Sequence, residues 1–300
     1  MTTLIQMEKV TKRFGNTVAM QEVSVAAGPG TIIGLVGANG CGKSTLLRHI
    51  VGLYLPNQGR CNTLGCNAAK LGPGELSRIG YVHQEGQLLD WMTVAQHIRY
   101  VAAYYDTWSR ELEDQYVADF GIDRASRVGT LSPGQRQKLA ILLAVGHRPQ
   151  LLILDEPASA LDPIVRGKFL DLMLSLIQDQ DRTILISSHI LSDIEKVIDH
   201  VWIMDAGRII RDCGLDDLRE QYCRVKLTRL DGDLPADLGF SGFVDKQQSG
   251  AAAVLTIPTA IKPKIEEIAQ SRHWTTETTA LSLEELYKIV LKELYKIVVW

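Results

Sequence analysis

Unbroken apolar runs, more than alternating ones, set the frame of this chain. Thr31-Ile-Ile-Gly-Leu-Val36 and Leu151-Leu-Ile-Leu154 read as strands buried on both faces, as in a parallel sheet flanked by helices. Thr183 to Ser187 reads as another, and Ser77 to His83 leads through an apolar strand to Gln84. Residues Leu4 to Gln21 alternate only loosely. After the first buried run, Leu46, Leu47, Ile50 and Val51 recur at helical spacing and Gly52 is the stop signal. From Leu88 to His147 the pattern is helical. Thr93 with Gln96 forms a capping box ahead of Val94, Ile98, Val101, Ala102 and Tyr105, and Ser109 caps a second helix carrying Leu112, Tyr116 and Phe120. Asp162 followed by Pro163 starts a helix expected to turn Leu170, Met173, Leu174 and Ile177 inward. Ile190, Ile194, Val197 and Ile198 mark a short helix, and Val201 to Ile210 predicts a hairpin about Asp205-Ala206-Gly207.

Beyond about Leu218 the pattern changes. Strands are expected at Arg224 to Leu230, Phe240 to Gln247, Ala252 to Ile257 and Trp274 to Thr278, with helices at Pro263 to Gln270 and after Ser282. Two domains follow: an α/β domain over 1–218 with a helical subdomain over 88–147, and a small α+β module over 219–300. At the end, Glu285-Leu-Tyr-Lys-Ile-Val290 recurs at Glu293 to Val298. A copy eight residues on is rotated by roughly 80° around a helix, so the two copies cannot share a face. Ile297 to Trp300 would form an exposed apolar patch if unpartnered.

Composition narrows the function classes. Of 300 residues, 46% are hydrophobic and 22% charged, enough for two cores. A net charge of −3 gives no global drive toward nucleic acid or acidic lipid. The first residues lack the basic-then-apolar pattern of a secretory signal, and no apolar stretch nears the ~20 residues a membrane helix needs. The five cysteines are scattered, and Cys61 and Cys66 have no matching second pair, which argues for reduced thiols and against zinc.

The chemistry centres on Gly37-Ala-Asn39-Gly40-Cys41-Gly42-Lys43-Ser44-Thr45, which fits G-x-x-x-x-G-K-[ST] between a buried strand and a helix. Glycines there let backbone N–H groups close around phosphate oxygens at a helix N-terminus. Lys43 would reach the β- and γ-phosphates, and the Ser44 hydroxyl would sit on Mg²⁺. Cys41 lies inside this loop, so its modification is expected to block nucleotide. The loop alone suits a kinase, a GTPase, a motor or a transport ATPase. Asp155 and Glu156 end a buried strand side by side, so their carboxylates can diverge to a metal and to a water. His189 ends another strand and could donate to a γ-phosphate.

Taken in order, the phosphate loop, Gln84, Leu131-Ser132-Pro133-Gly134-Gln135, Leu151 to Glu156, Ser159 to Asp162 and His189 resemble the ATP-binding subunit of ABC transporters. The resemblance covers about Leu4 to Leu215. It implies a P-loop ABC-type ATPase fold that binds ATP and Mg²⁺, with Phe14 stacked on adenine. Gln84 would touch Mg²⁺ and sense the membrane partner, Asp155 would hold Mg²⁺ through water, and Glu156 would polarise the attacking water. Ser132, Gly134 and Gln135 would close over the phosphates of a second subunit. The implied partners are another ATPase subunit, in a homo- or heterodimer, and integral membrane permease subunits. The expected place is the cytoplasmic face of the cell membrane, held there by the permease, with no nucleic-acid partner. One ATPase domain with a short C-terminal module looks most like bacterial exporters. Pro133 departs from the usual third-position glycine of the signature. As the first helical residue after a Ser132 cap it loses no intrahelical bond, so it is expected to be tolerated. Trp91 and Met92 are candidates for the surface that meets a membrane subunit. A soluble ABC-type ATPase acting on DNA or ribosomes usually carries a long coiled-coil insertion or two ATPase domains, and this chain shows neither.

Overall fold

A computed structural model describes residues 3–84, 88–178 and 182–297. It divides into two compact units, ending at Asp212 and beginning at Cys213. The first unit opens with β1 (Ile5–Phe14), β2 (Thr17–Ala27), β3 (Ile32–Val36), α1 (Lys43–Ile50), β4 (Gln58–Thr63), β5 (Cys66–Asn67), α2 (Pro73–Leu76) and β6 (Ile79–Val82). The helical stretch follows as α3 (Val94–Ala102), α4 (Arg110–Asp119) and α5 (Pro133–Val145). Then come β7 (Leu151–Asp155), α6 (Pro163–Gln178), β8 (Thr183–Ser188), α7 (Leu191–Ile194), β9 (His200–Asp205) and β10 (Arg208–Gly214).

Strands β2, β1, β4 and β5 form an antiparallel sheet. The loose alternation near the N-terminus is therefore a hairpin, and register shifts after Met7 and Val10 explain why its period is imperfect. The larger sheet runs β10-β9-β3-β8-β7-β6, with β9 through β6 parallel. Its register decides the site. Val36 lies opposite Ser188, Asp155 opposite Ser187, and Val82 opposite Leu154. Four strand ends thus reach one edge together, the carboxyl edge where open α/β sheets bind ligands.

Leu46, Leu47 and Ile50 of α1 are fully buried in one core with Ile33, Leu35 and Trp202. On α6, Phe169, Met173 and Leu176 are buried at helical spacing, whereas Leu174 is 41% exposed. Leu170 and Met173 turn inward as expected, but Leu174 follows Met173 by about 100° around the helix and so leaves the buried face. The side chain of Ile177 lies outside the described residues. α5 packs on β6, where the His147 imidazole Nε2 lies 3.1 Å from the Ile79 carbonyl. Burial pushes that imidazole down to about 4, so it is neutral at physiological pH.

The second unit consists of α8 (Leu215–Gln221), β11 (Tyr222–Arg229), β12 (Asp245–Ser249), β13 (Ala252–Pro258), α9 (Lys262–Ser271), β14 (Trp274–Thr279) and α10 (Leu283–Ile297). It starts before Leu218 because α8 packs with α10 of the same unit. Its sheet is antiparallel, in the order β12-β13-β11-β14. Val225, Leu227, Ala253, Leu255 and Ile257 face Ile265 and Ala269 of α9. The strand expected from Phe240 begins only at Asp245. Gly242 has φ 95°, a left-handed value that breaks extended backbone, and Phe240 and Phe243 pack on the core from a loop instead. The first copy of the terminal repeat lies on α10, and so does the second as far as Ile297. The first buries Leu286, Ile289 and Val290, while Tyr295 of the second is 54% exposed, as the rotation between copies requires. The expected apolar patch from Ile297 to Trp300 falls outside the described side chains. No described helix is long and apolar enough to cross a membrane.

Candidate functional site

The phosphate loop joins β3 to α1. Gly42, with φ 112°, caps α1 without a side-chain hydrogen bond, so the first N–H groups of the helix have no cap partner. A Cβ there would lie 2.6 Å from the Ala19 carbonyl oxygen. The first turn holds no acidic residue, leaving the positive end of the helix dipole for an anion. Lys43 is buried and folds back on its own loop: its Nζ donates to the carbonyls of Gly37 at 2.8 Å and Ala38 at 3.3 Å. Asn39, Gly40, Gly42, Lys43, Ser44 and Thr45 line a cleft of about 430 Å³ together with Gln84, Glu156 and His189.

Gly37 and Cys41 lie beneath that lining. The Cys41 side chain is buried, close to Gly37 and Met204, and desolvation raises its thiol pKa. Burial therefore withholds both access to this thiol and its thiolate form, so any modification that would block nucleotide is slow. An uncharged maleimide should label Cys41 at least ten times more slowly than the partly exposed Cys66, read by mass spectrometry of the native protein. Equal rates would mean the loop opens readily.

The two acids at the end of β7 turn to different partners. Asp155 is fully buried, and its Oδ1 accepts from Ser44 Oγ at 3.1 Å and from Ser187 Oγ at 2.9 Å. Its Oδ2 is buried with no hydrogen-bond partner among the described residues. Glu156 takes a left-handed φ of 51°, which kinks the backbone at the strand's end. That kink is held by the Glu156 N–H donating to Ser187 Oγ at 2.9 Å. Glu156 Oε1 lies 3.5 Å from Lys43 Nζ. Its Oε2 accepts from the His189 backbone N–H at 3.2 Å and contacts His189 Nδ1 at 2.6 Å. A carboxylate only accepts, so Nδ1 carries the proton of that contact. Nε2 can then donate to a phosphate only when the ring is protonated. Ser187 was read from sequence as strand, and its role as the pin between both acids comes from cross-strand register.

Gln84 follows β6, is exposed and lines the cleft. Of the loop from Gln84 to Met92, residues 85–87 lie outside the described residues. Phe14 ends β1, 45% exposed, with its ring centroid 5.3 Å from that of Tyr54 at 68°. Tyr54 carries no sequence signal of its own.

The signature segment stands apart. Ser132 caps α5, accepting from the Gln135 N–H at 3.3 Å, while Gln135 Oε1 accepts from the Ser132 N–H at 2.9 Å. Pro133 occupies the first helical position of this capping box. A Cβ on Gly134 would lie 3.0 Å from the Ala160 carbonyl. Ser132, Gly134 and Gln135 contribute nothing to the lining of the cleft. Because the box needs no glycine, Pro133→Gly should change ATP turnover by less than about threefold while costing up to roughly 1 kcal/mol of stability. Steady-state phosphate release and a urea midpoint check both. Trp91 is 68% exposed, whereas Met92 is buried, which removes Met92 from any docking surface.

The model of the ABC transporter family matches residues 20–159. The chain is 33% identical over 223 residues to the bacitracin transport ATP-binding protein BcrA of Bacillus licheniformis, covering 74% of this chain and 73% of that one. It is 31% identical to the phosphonates import ATP-binding protein PhnC of Frankia casuarinae, over 75% of this chain and 96% of the relative. A solved ATP-binding subunit of an ABC transporter superposes with a TM-score of 0.67 at 28% identity, over 73% of this chain and 93% of that one. With a phosphate loop, Glu156 and a histidine gathered in one cleft and Asp155 buried against Ser44 beside it, the chain belongs to the ATP-binding subunits of ABC transporters, the family's ATPase cassettes.

Proposed function

We propose that this ATPase closes with a second ATPase subunit on two ATP molecules and drives export through separate membrane subunits. One observation carries the reading: Lys43, Ser44, Gln84, Glu156 and His189 share a cleft that the signature does not reach. A second chain has to supply Ser132, Gly134 and Gln135, so a lone subunit binds ATP without a complete catalytic site.

Mg²⁺ fits the donors present, since Asp155 Oδ2 is a buried carboxylate oxygen with no partner among the described residues and Ser44 Oγ lies beside Oδ1 of the same group. Ser44, Asp155 and Gln84 would hold it, and bound there it would neutralise charge on the phosphate oxygens. The protein's own groups do the rest. Lys43 exchanges its two loop carbonyls for the β- and γ-phosphates. His189 and its own N–H fix Glu156 Oε2, while Oε1 makes no hydrogen bond among the described residues and is left to take the proton of the attacking water. Phe14, 45% exposed, offers its ring to the base.

A groove of about 550 Å³ lined by Leu53, Leu76, Leu88, His97, Val101 and Tyr105 suits a cytosolic helix of the membrane subunit. Exposed Trp91 is an added anchor, and attachment to the inner face of the membrane would come through this contact. Direction rests on domain layout and on the bacitracin-transport relative, against a phosphonate-import relative of similar identity. Purification from detergent-solubilised native membranes should bring down integral membrane subunits, and ATP should drive uptake into inside-out vesicles of the complex. Recovery of the chain alone would sink the partner assignment, and flux only in right-side-out vesicles would reverse the direction.

A further inference from the structure

Tyr54, Arg48 and His83 form a connected set outside the phosphate cleft. Tyr54 meets Phe14 edge-on, and Lys12 Nζ lies 5.1 Å from the Phe14 centroid and 5.5 Å from that of Tyr54. Lys12 is itself tied to the Leu55 carbonyl at 2.8 Å, so the two rings have a fixed cationic wall. Arg48, in the last turn of α1, donates through Nη1 to Tyr54 Oη at 2.9 Å. Its Nη2 lies 2.8 Å from His83 Nε2. A guanidinium only donates, so His83 Nε2 must accept and its ring proton sits on Nδ1. His83 is packed edge-on to Tyr81 and directly precedes Gln84.

We infer that Tyr54 and Arg48 are positioning residues that transmit occupancy of the base platform at Phe14 to the end of β6, where Gln84 begins. The inference rests on the reading of Phe14 as the base-stacking residue. A base against Phe14 fixes that ring, and its edge fixes Tyr54. The planar fork of Arg48 then links the Tyr54 hydroxyl to His83 through one rigid group, without a water in between. Because Arg48 shares α1 with Lys43 and Ser44, the same helix carries the phosphate and base signals. This gives the site a way to distinguish ATP from a bare polyphosphate before Gln84 engages the membrane partner.

The test uses the full chain and two ligands, MgATP and magnesium tripolyphosphate, which lacks the base. Dissociation constants are measured by calorimetry, and hydrogen exchange is followed in the segment 78–84. In the unmodified protein, MgATP should slow exchange in that segment at least threefold more than saturating tripolyphosphate does. Tyr54→Phe keeps the ring contact and deletes only the hydroxyl. It should abolish the difference while changing the ATP dissociation constant by less than about threefold, and Arg48→Met should do the same. Phe14→Ala should weaken ATP at least tenfold and leave tripolyphosphate unchanged. If Phe14→Ala weakens ATP yet Tyr54→Phe retains the ATP-specific protection, the transmission fails and the stacking reading stands. If Phe14→Ala leaves ATP binding unchanged, the stacking reading fails and the transmission loses its origin with it. Equal protection by both ligands in the unmodified protein also overturns it.

Discussion

Glu156→Gln should lower kcat for ATP by about 10²–10⁴-fold, the range for loss of a positioned general base. ATP affinity should stay within a fewfold of the unmodified protein. The substitution keeps the side-chain shape at the φ 51° position and can still accept from the His189 N–H through its amide oxygen. It removes the charge facing Lys43 and the basic oxygen that would take the water's proton. Turnover then stops with ATP in place, and the closed two-subunit form accumulates because hydrolysis no longer opens it. Quenched-flow phosphate release, with light scattering for dimer mass, checks both halves. Hydrolysis at the unmodified rate would take Glu156 out of the chemistry.

The second large effect is a rescue. Lys43→Ala removes the phosphate-gripping amine of one chain, and Gly134→Asp puts a carboxylate beside the Ala160 carbonyl in the signature of another. Each variant, expressed alone with its membrane subunits, should turn over ATP at less than about 1% of the unmodified complex, since preorganised charge stabilisation supplies most of the rate. Expressed together, half of the randomly formed dimers pair the intact phosphate loop of one chain with the intact signature of the other. One site in two is then whole, and turnover should climb toward about a quarter of the unmodified value, the share set by two-fold symmetry. A mixture no better than the sum of its parts would show that the site is complete within one chain or that both sites must be whole at once. Isolating singly tagged heterodimers, and assaying one ATP per dimer in a single turnover, separates those two.

What the sequence could show follows from how local each interaction is. Lys43, Ser44, Asp155, Glu156 and His189 were legible because each sits at the end of a buried run, and parallel strands deliver such ends to one edge of the sheet. Caps were equally legible: Thr93, Ser109, Ser132 and Asp162 all accept from N–H groups two or three residues ahead. Ser187 was not, because its bonds to Asp155 and Glu156 depend on the register of β8 against β7. Tyr54 and Arg48 were missed for the same reason, since their partners lie on other elements. Met92 is expected at a docking surface from its place in the chain, yet it is buried, because position says nothing about which way a side chain turns. Phe240 and Phe243 imitate a strand in composition, and the left-handed Gly242 between them decides otherwise.

The repeated segment on α10 has a bearing on how much of the C-terminus the second unit needs. Leu286, Ile289 and Val290 of the first copy, with Leu283 just before it, supply the buried face of the helix. The second copy, turned aside along the same helix, reaches a different neighbour: Glu293 accepts from the Tyr222 hydroxyl at 2.6 Å, whereas Glu285 of the first pairs with Arg224. Losing the second copy would therefore leave the buried apolar face in place and remove the bond to the start of β11.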